Sequence, residues 1–470
     1  MSGAEGVPAG AVLATPGVAA ALGAWMAGQR WYAGAGPASA TVLATREFAP
    51  GGDGRAAGVL ALAGTGAGGG DYLLPLGVGP EAERPAGAPA LAVADGAVVW
   101  DALADPRLTT ALVRRITAGE DGGGLRYWPG PSPASPPAGE AAMSVRPLGV
   151  EQTNSSVVVA GRYLLKVFRR PAPGPGRDLT LHRALAEAGS AYVPPLLGAA
   201  SDAGDGTTYA TLQRYLPDAA DGWGLALRAA GAFVRGGPAV PFPARGLGVA
   251  VAAVHRDLAA AGGRSAPGRE DLRRLAEGFV RRLERAVADA PALERHVPWL
   301  RAGFAAVTRR ATAGARPSQW IHGDLHLGQT LRSGAGWLLL DFEGEPLATP
   351  EERDRPDSPL RDLAGMLRSF DYAAHHGLAA APDGPAGRRA LARAARWAEL
   401  TRRAFLDGYA AAAGRLGAAD RRLLDAYVLD KAVYEVAYET RHRPGWAWLP
   451  LAALDRAAAG PPPGAERTAA

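Results

Sequence analysis

The sequence predicts an α+β fold in two lobes, a smaller β-rich one followed by a larger helical one. Three observations carry the prediction. Short apolar runs divided by Gly-rich turns fill residues 1 to about 105, and a second set of strand-like runs lies between residues 143 and 217. From residue 222 onward the pattern changes to long amphipathic helices, interrupted once by a loop and a hairpin. At 470 residues the chain is long enough for two or three domains.

The first helix, TPGVAAALGAWMAGQ (15–29), opens on Thr15 as N-cap with Pro16 at its first position. Strands follow at VLATREF (42–48), GVLALAG (58–64), DYLLPLGVG (71–79) and AVVWDAL (97–103). Gly64, Gly66 and Gly69 satisfy G-x-G-x-x-G, but the run after them is a strand and not the helix a dinucleotide site requires, so a hairpin loop is expected. A helix at DPRLTTALVRRITAG (105–119) precedes WPGPSPASPPAG (128–139), a Pro-rich linker. Then come strands MSVRPLG (143–149), SSVVVAG (155–161) and YLLKVFRR (163–170) in hairpin succession. The helix DLTLHRALAEAG (178–189) and the strands PPLLGAA (194–200) and TTYATLQRYLP (207–217) complete the β-rich part. Helices are expected near 245–260, 270–289, 297–313, 360–376, 386–413 and 419–442. The division expected is a β-rich N-terminal subdomain at 1–105, a β-rich lobe at 106–216 containing the linker, and a helical lobe at 217–470.

Composition excludes several classes of function. No cysteine is present, so disulfides and thiolate metal sites are absent. The apolar stretch from Ala11 to Ala27 is broken by Pro16 and Gly17 and is too short to span a bilayer. The net charge of +5 is spread among mixed-sign helical faces, with no basic tail or basic–aromatic repeat. A cytoplasmic protein that binds neither nucleic acid nor membrane is expected. Of 51 basic residues only Lys166 and Lys431 are lysines, so a compact ammonium is retained at two places in a chain that otherwise uses arginine.

The segment that interrupts the helices carries the chemistry. In HGDLHLGQ (322–329), Asp324 is followed five residues later by Gln329; seventeen residues after Asp324, WLLLDFEG places Asp341 at a strand end. This is the spacing of a kinase catalytic loop and its metal-binding D-F-G. Phosphoryl transfer needs an acid near the attacking hydroxyl, here Asp324, and hard oxygen ligands for Mg²⁺, here Gln329 and Asp341. His322 and His326 lack the Glu of H-E-x-x-H and lie in a Gly-containing loop, which disfavours zinc. Lys166 lies in the third strand of its lobe, as the kinase lysine that holds the α/β-phosphates of ATP does. The loop before the second strand, VEQTNSS, offers Gln152, Thr153, Asn154, Ser155 and Ser156 as phosphate donors, and Gln213 and Tyr215 are further nucleotide-binding candidates. No P-loop is present.

The chain resembles the maltokinases of actinobacteria, within the kinase-like, aminoglycoside phosphotransferase-like superfamily. The resemblance covers nearly the full length. It runs through QRWYAG (29–34), EQTNSSVVV (151–159), LLKVFRR (164–170), DGW (221–223), HGDLHLGQ, DFEGEP (341–346), RDLAGMLRSFDYAA (361–374) and DKAVYEVAYETRHRPGW (430–446). It implies a bilobal protein-kinase-like fold with an N-terminal cap subdomain, a β-rich N-lobe and a helical C-lobe. It also implies transfer of the ATP γ-phosphate to maltose, giving maltose 1-phosphate for α-glucan synthesis, with enzymes of maltose, trehalose and α-glucan metabolism as partners. Two positions depart from the pattern. Thr180 stands where an acidic partner for Lys166 is expected, leaving Asp178 or Glu187 as substitutes, or no pair; and Ala35 stands where a lysine is expected after QRWYAG.

The acceptor end is read from the helix DKAVYEVAYETRH. Lys431, Tyr434, Glu435, Tyr438 and His442 fall on one broad stripe, and aromatic faces with an ammonium and a carboxylate suit a polyhydroxylated sugar. The bland alternative is a helix with core tyrosines and a Lys431–Glu435 pair. Asp362 is a candidate substrate contact or a brace for the catalytic loop. Other acceptors or classes remain open: a glucosamine kinase, a catalytically dead nucleotide-binding regulator, or an aminoglycoside phosphotransferase.

Overall fold

The computed structural model describes residues 8–34, 40–52, 54–66, 70–132, 143–149, 153–238, 240–310, 315–346, 348–378 and 384–459. The chain forms two compact units, one of residues 1–187 with 194–217, the other of residues 188–193 with 218–470.

The first unit holds two antiparallel sheets. β1 (Thr41–Ala49), β2 (Ala57–Gly64), β3 (Asp71–Gly79), β4 (Ala92–Ala94) and β5 (Ala97–Asp101) pair in the order β1-β2-β3-β5-β4. β6 (Leu125–Pro129), β7 (Val145–Pro147), β8 (Ser155–Val159), β9 (Tyr163–Val167), β10 (Leu196–Asp202) and β11 (Thr208–Arg214) pair in the order β6-β10-β11-β9-β8-β7. The first sheet is apolar on both faces. Val59, Ala61, Leu74 and Leu76 meet α2 (Pro16–Ala27), which follows the short α1 (Ala9–Leu13); Leu60, Leu73 and Trp100 join α3 (Pro106–Ala118) and Val157, Leu165 and Leu212 of the second sheet in one core. Asp105 caps α3 by accepting from the N–H groups of Arg107 and Leu108. α4 (Arg177–Glu187) completes the unit.

Two local expectations need correction, and a third is met. Thr15 stands at the N-cap of α2, but its hydroxyl donates to the Val12 carbonyl, because α1 ends immediately before it. Trp128 and Pro129, read as the start of the linker, belong to β6; a sheet edge tolerates the donor that proline lacks, and Trp128 pairs with Ala199. β2 and β3, on either side of the GTGAGGG run, pair antiparallel from Gly64 and Asp71 onward, the hairpin expected there; Gly69 lies outside the described residues.

In the second unit a short sheet, β12 (Ala220–Asp221), β13 (Thr330–Ser333) and β14 (Gly336–Leu339), lies among helices α5 (Gly222–Arg235), α6 (Ala244–Gly262), α7 (Arg269–Asp289), α8 (Val297–Arg310), α9 (Pro350–Asp354), α10 (Leu360–His375), α11 (Gly384–Ala413), α12 (Ala418–His442) and α13 (Trp448–Ala458). Residues 188–193 belong here because the Leu339 N–H donates to the Tyr192 carbonyl. α6 and α11 approach closely: a Cβ at Gly248 would stand 2.0 Å from the Phe405 carbonyl oxygen, and one at Gly408 1.9 Å from that of Arg245. α10 is the central helix, burying Leu363, Met366, Leu367 and Phe370 together with Asp362, Arg368 and Asp371. Among the described residues, no helix is long and apolar enough to cross a membrane.

Candidate active site

In the second unit the 322–329 segment is an irregular loop that ends in the β13–β14 hairpin. It is held from behind by α10. Asp362, fully buried, accepts from the backbone N–H groups of His322 and Gly323, each at 2.8 Å. His255 Nε2 lies 2.9 Å from Asp362 Oδ2, and its Nδ1 3.1 Å from the Tyr409 hydroxyl, which completes a Tyr–His–Asp chain. Burial raises the Asp362 pKa, but the bonds from His255 and Gly323 outweigh it and hold the carboxyl ionised. A turn further on, a Cβ at Gly365 would meet the Leu325 carbonyl oxygen at 2.5 Å, so only glycine lets the helix come this close. Asp362 therefore braces the loop, the second of its two expected roles, while also lining the cavity described below.

One histidine couples the two aspartates. His322 Nε2 lies 2.7 Å from the Leu340 carbonyl, next to Asp341, and its Nδ1 lies 3.4 Å from the Asp324 backbone N–H. Asp341 has φ +61°, a left-handed conformation that costs energy in any residue but glycine. The other described non-glycine residues with positive φ, Asp95 and Ala160, sit in hairpin turns between paired strands. Asp341 lies two residues beyond β14, directly before a turn at Phe342–Glu343. The Gln329 amide donates to Asp341 Oδ2 at 3.0 Å, so the two expected metal ligands stand side by side. His326 Nδ1 accepts from the Gly328 N–H and so caps a short 3-10 turn at Leu327–Gln329, and burial lowers its pKa against the pull of Asp324.

Asp324 opens onto a cavity of about 40 Å³ lined by Arg282, Glu345, Arg361, Asp430, Lys431 and Tyr434, among others. Lys431 Nζ lies 3.5 Å from Asp324 Oδ1, 3.5 Å from Glu345 Oε1 and 4.6 Å from the Tyr434 ring centre. Burial disfavours its charge, but Glu345 and Asp324 reverse that and raise its pKa. Glu345 also takes Arg361 at 2.7 Å; burial pushes its pKa up, yet Lys431 and Arg361 hold it at about 2. Arg282 clamps Asp430 with bonds of 2.7 and 2.9 Å. The Tyr434 hydroxyl is pushed up to about 12, chiefly by burial, so it stays a neutral donor.

The predicted stripe divides. Lys431 and Tyr434 line the cavity, whereas the Tyr438 ring is exposed and stacks on Tyr434 at 6.1 Å between centroids. Glu435 is buried and gives its carboxylate to Arg368 at 2.6 and 2.8 Å, so the Lys431–Glu435 pair does not form. Sequence reasoning misses Glu345 and Asp430 as site residues although they lie in DFEGEP and DKAVYEV, and no local signal points to Arg282.

In the first unit Lys166 lies on β9 between Ser156 of β8 and Thr211 of β11. Its ammonium is buried, 3.3 Å from Asp178 Oδ2 and 5.2 Å from the Phe168 ring centre. Asp178, in the first turn of α4, takes the acidic position, whereas Glu187 pairs with Arg183 on the exposed face and Thr180 donates to the Gly176 carbonyl. Asn154 and Ser156 are buried at the start of β8, Thr153 is exposed, and Gln152 lies outside the described residues. Gln213 donates its amide N–H to His182 at 3.2 Å, and the Tyr215 hydroxyl accepts from Arg146 at 3.1 Å.

Residues 144–427, more than half of the chain, match the phosphotransferase enzyme family. The chain belongs to that family. Residues 25–105 match the maltokinase N-terminal cap domain. A glucosamine kinase of Streptacidiphilus jiangxiensis is 31% identical over 73% of this chain and 78% of its own length. A glucosamine kinase of Mycolicibacterium smegmatis is 30% identical over 67% of this chain and 80% of its own. A solved glucosamine kinase in complex with glucosamine, ADP and inorganic phosphate has the same fold, with a TM-score of 0.68 at 23% identity, covering 94% of this chain and 98% of that one. The α+β, kinase-like architecture expected from the sequence is the fold observed, and the chain is a phosphotransferase of the kinase type.

Proposed function

We propose that the protein transfers the γ-phosphoryl group of ATP to a hydroxyl of a small free sugar, and that glucosamine is its acceptor. The observation that carries the reading is the cavity at Asp324, where Lys431 shows that an ammonium is held among carboxylates, 3.5 Å from both Asp324 and Glu345. An amino sugar presents that same group with hydroxyls for Tyr434 and the remaining acids, and both curated relatives above are named glucosamine kinase.

Asp324 takes the proton of the acceptor hydroxyl, whose oxygen then bonds to the γ-phosphorus as the bond to the β,γ-bridging oxygen breaks and ADP leaves. Lys166, fixed by Asp178, holds the α/β-phosphates, and Asn154, Ser155 and Ser156 donate to phosphate oxygens. Asp341 and Gln329 fit a hard divalent cation such as Mg²⁺: the donors are oxygens, and the Gln329 amide needs only to turn its oxygen where its nitrogen now faces the carboxylate. When bound, such an ion neutralises phosphate charge.

Maltose is the second reading. It is favoured by the match to the maltokinase cap domain and by the Tyr434–Tyr438 stack, whose exposed end offers a face for a second sugar ring. A coupled ADP-release assay over glucosamine, maltose, glucose, trehalose and an aminoglycoside decides between them. Turnover with glucosamine alone is expected; turnover with maltose alone moves the assignment to the second reading, and turnover with neither sugar sinks both.

A further inference from the structure

The QRWYAG segment is the most specific motif of the N-terminal region, yet it contributes nothing to the groups assigned above. Its Trp31 is buried against Trp25 and Tyr72, with centroids 5.6 and 5.8 Å away. On its other side stands Arg169, two residues beyond β9 and three beyond Lys166. The Arg169 guanidinium lies 4.7 Å from the Trp31 ring centre and is 1% exposed. A buried guanidinium must be hydrogen-bonded on its whole rim. Arg169 Nη1 donates to the Leu73 carbonyl at 3.3 Å, Nη2 lies 3.9 Å from Asp101 Oδ2, and Nε donates to Ser155 Oγ at 2.8 Å. The Leu73 N–H donates in turn to the Arg169 carbonyl at 2.9 Å, so the residue is gripped by backbone as well as side chain. Burial works against its charge and Asp101 favours it.

Ser155 opens β8, directly after the loop assigned to the phosphates. Because its oxygen accepts from Arg169, its own hydroxyl proton is left to donate. We infer that Arg169 is a positioning residue through which Trp31 of the N-terminal subdomain fixes the Ser155 hydroxyl, and with it the end of the phosphate-covering loop, for the nucleotide. The N-terminal subdomain then acts on nucleotide affinity and not on the acceptor. The inference rests on the reading of Ser155 as a phosphate donor. It concerns residues of the first unit alone.

The test is a double-mutant cycle in the full-length chain, with ADP affinity by titration calorimetry, KM for the acceptor, and thermal melting of every variant. Trp31→Leu removes the ring face and should weaken ADP about 3- to 10-fold, the range of a desolvated cation–π contact, with the acceptor KM unchanged. Ser155→Ala should weaken ADP by a similar factor. The double variant should be no worse than Ser155→Ala alone, because the two act through one contact. If Ser155→Ala leaves ADP affinity untouched, the loop assignment itself fails. If Ser155→Ala weakens ADP but Trp31→Leu does not, or if the two losses multiply, the loop assignment stands and the relay through Arg169 is overturned. Should Trp31→Leu fail to fold, Trp31→Phe keeps a ring with a weaker cation–π contact and must shift ADP affinity in the same direction.

Discussion

The two lysines of this chain occupy opposite kinds of surroundings. Lys166 lies inside a sheet, its side chain 8% exposed, between strands that fix its backbone on both sides, and Asp178 meets it at 3.3 Å. Lys431 lies on a helix, its side chain 29% exposed, with two carboxylates at equal distance and a tyrosine ring beside it. The first is positioned by register before any ligand arrives. The second is positioned by groups that line the cavity at Asp324, where, on the proposed reading, an acceptor exchanges partners with it. A rigid cation suits a ligand whose phosphates never vary. A cation held by exchangeable carboxylates suits, on the same reading, a polyhydroxylated acceptor.

The largest expected effect falls on the Lys431 side. Asp324→Asn keeps shape and hydrogen bonding but removes the proposed base, and should cut kcat by about 10²- to 10⁴-fold while ADP affinity, which the proposed function assigns to the Lys166 side, stays near wild type. Turnover close to wild type would falsify the role of Asp324. Next in size is the crossed pair Lys166→Met and Lys431→Met, both similar in volume to lysine. Losing one charge-assisted contact costs about 1.5–3 kcal/mol, roughly 10- to 150-fold. That loss should appear in the KM for ATP for Lys166→Met and in the KM for the acceptor for Lys431→Met. If both variants raise the same KM, the contrast between the lysines is wrong. Lys166→Met should also lower Tm, since it removes the ammonium that lies 3.3 Å from the buried Asp178 carboxyl group.

The same contrast explains what the sequence discloses. Asp324, Gln329 and Asp341 are legible because they lie within eighteen residues, on a loop and hairpin whose chemistry fixes their spacing. Lys166 is legible because strand order follows from hairpin succession. Its partner stays open in the sequence between Asp178, Glu187 and none, since the direction in which α4 faces β9 is a tertiary fact. The Lys431 side is harder. Arg282 and Asp430 meet across 148 residues, and Glu345 reaches Lys431 only once α12 has packed. Glu435 lies on the predicted stripe, but α12 is buried on more than one face, and Arg368 of α10 claims that carboxylate. β6 ends on Pro129, at the head of a Pro-rich run, and its partner β10 lies some seventy residues on, beyond any local pattern. The Thr349–Glu352 capping box that starts α9 is a local signal, readable from the sequence alone.

A smaller effect isolates Glu345. Its pKa of about 2 lies below the ordinary 4.5, so it contributes stability that is present above 4.5 and is lost as pH falls through about 2. Glu345→Gln removes that contribution. Wild type should therefore melt higher than the variant at pH 6, and the gap should narrow steadily as pH is lowered below 4.5. A gap independent of pH would mean that the Lys431 and Arg361 charges do not hold Glu345 ionised.

The smallest effect is also the one that separates one-ring from two-ring acceptors. Tyr438 is 39% exposed and stacks on Tyr434, with His442 on its other side at 4.7 Å between centroids. Because the ring is not in the core, Tyr438→Ala should change stability by no more than about 0.5 kcal/mol, as for other surface substitutions. Its effect on binding depends on what lies over it. A single ring seated at Asp324, Lys431 and Tyr434 leaves Tyr438 uncovered, and the KM for glucosamine should then stay within about twofold, since a surface side chain that touches no ligand contributes little. A disaccharide extending along the stack would lose an aromatic contact of about 0.5–1.5 kcal/mol, raising the KM for maltose roughly 2- to 10-fold. An unchanged KM for both sugars removes Tyr438 from the acceptor site and confines that site to the cavity around Lys431. A rise for maltose alone places the second ring on the exposed tyrosine and gives the maltose reading the physical footing it otherwise draws from the cap domain.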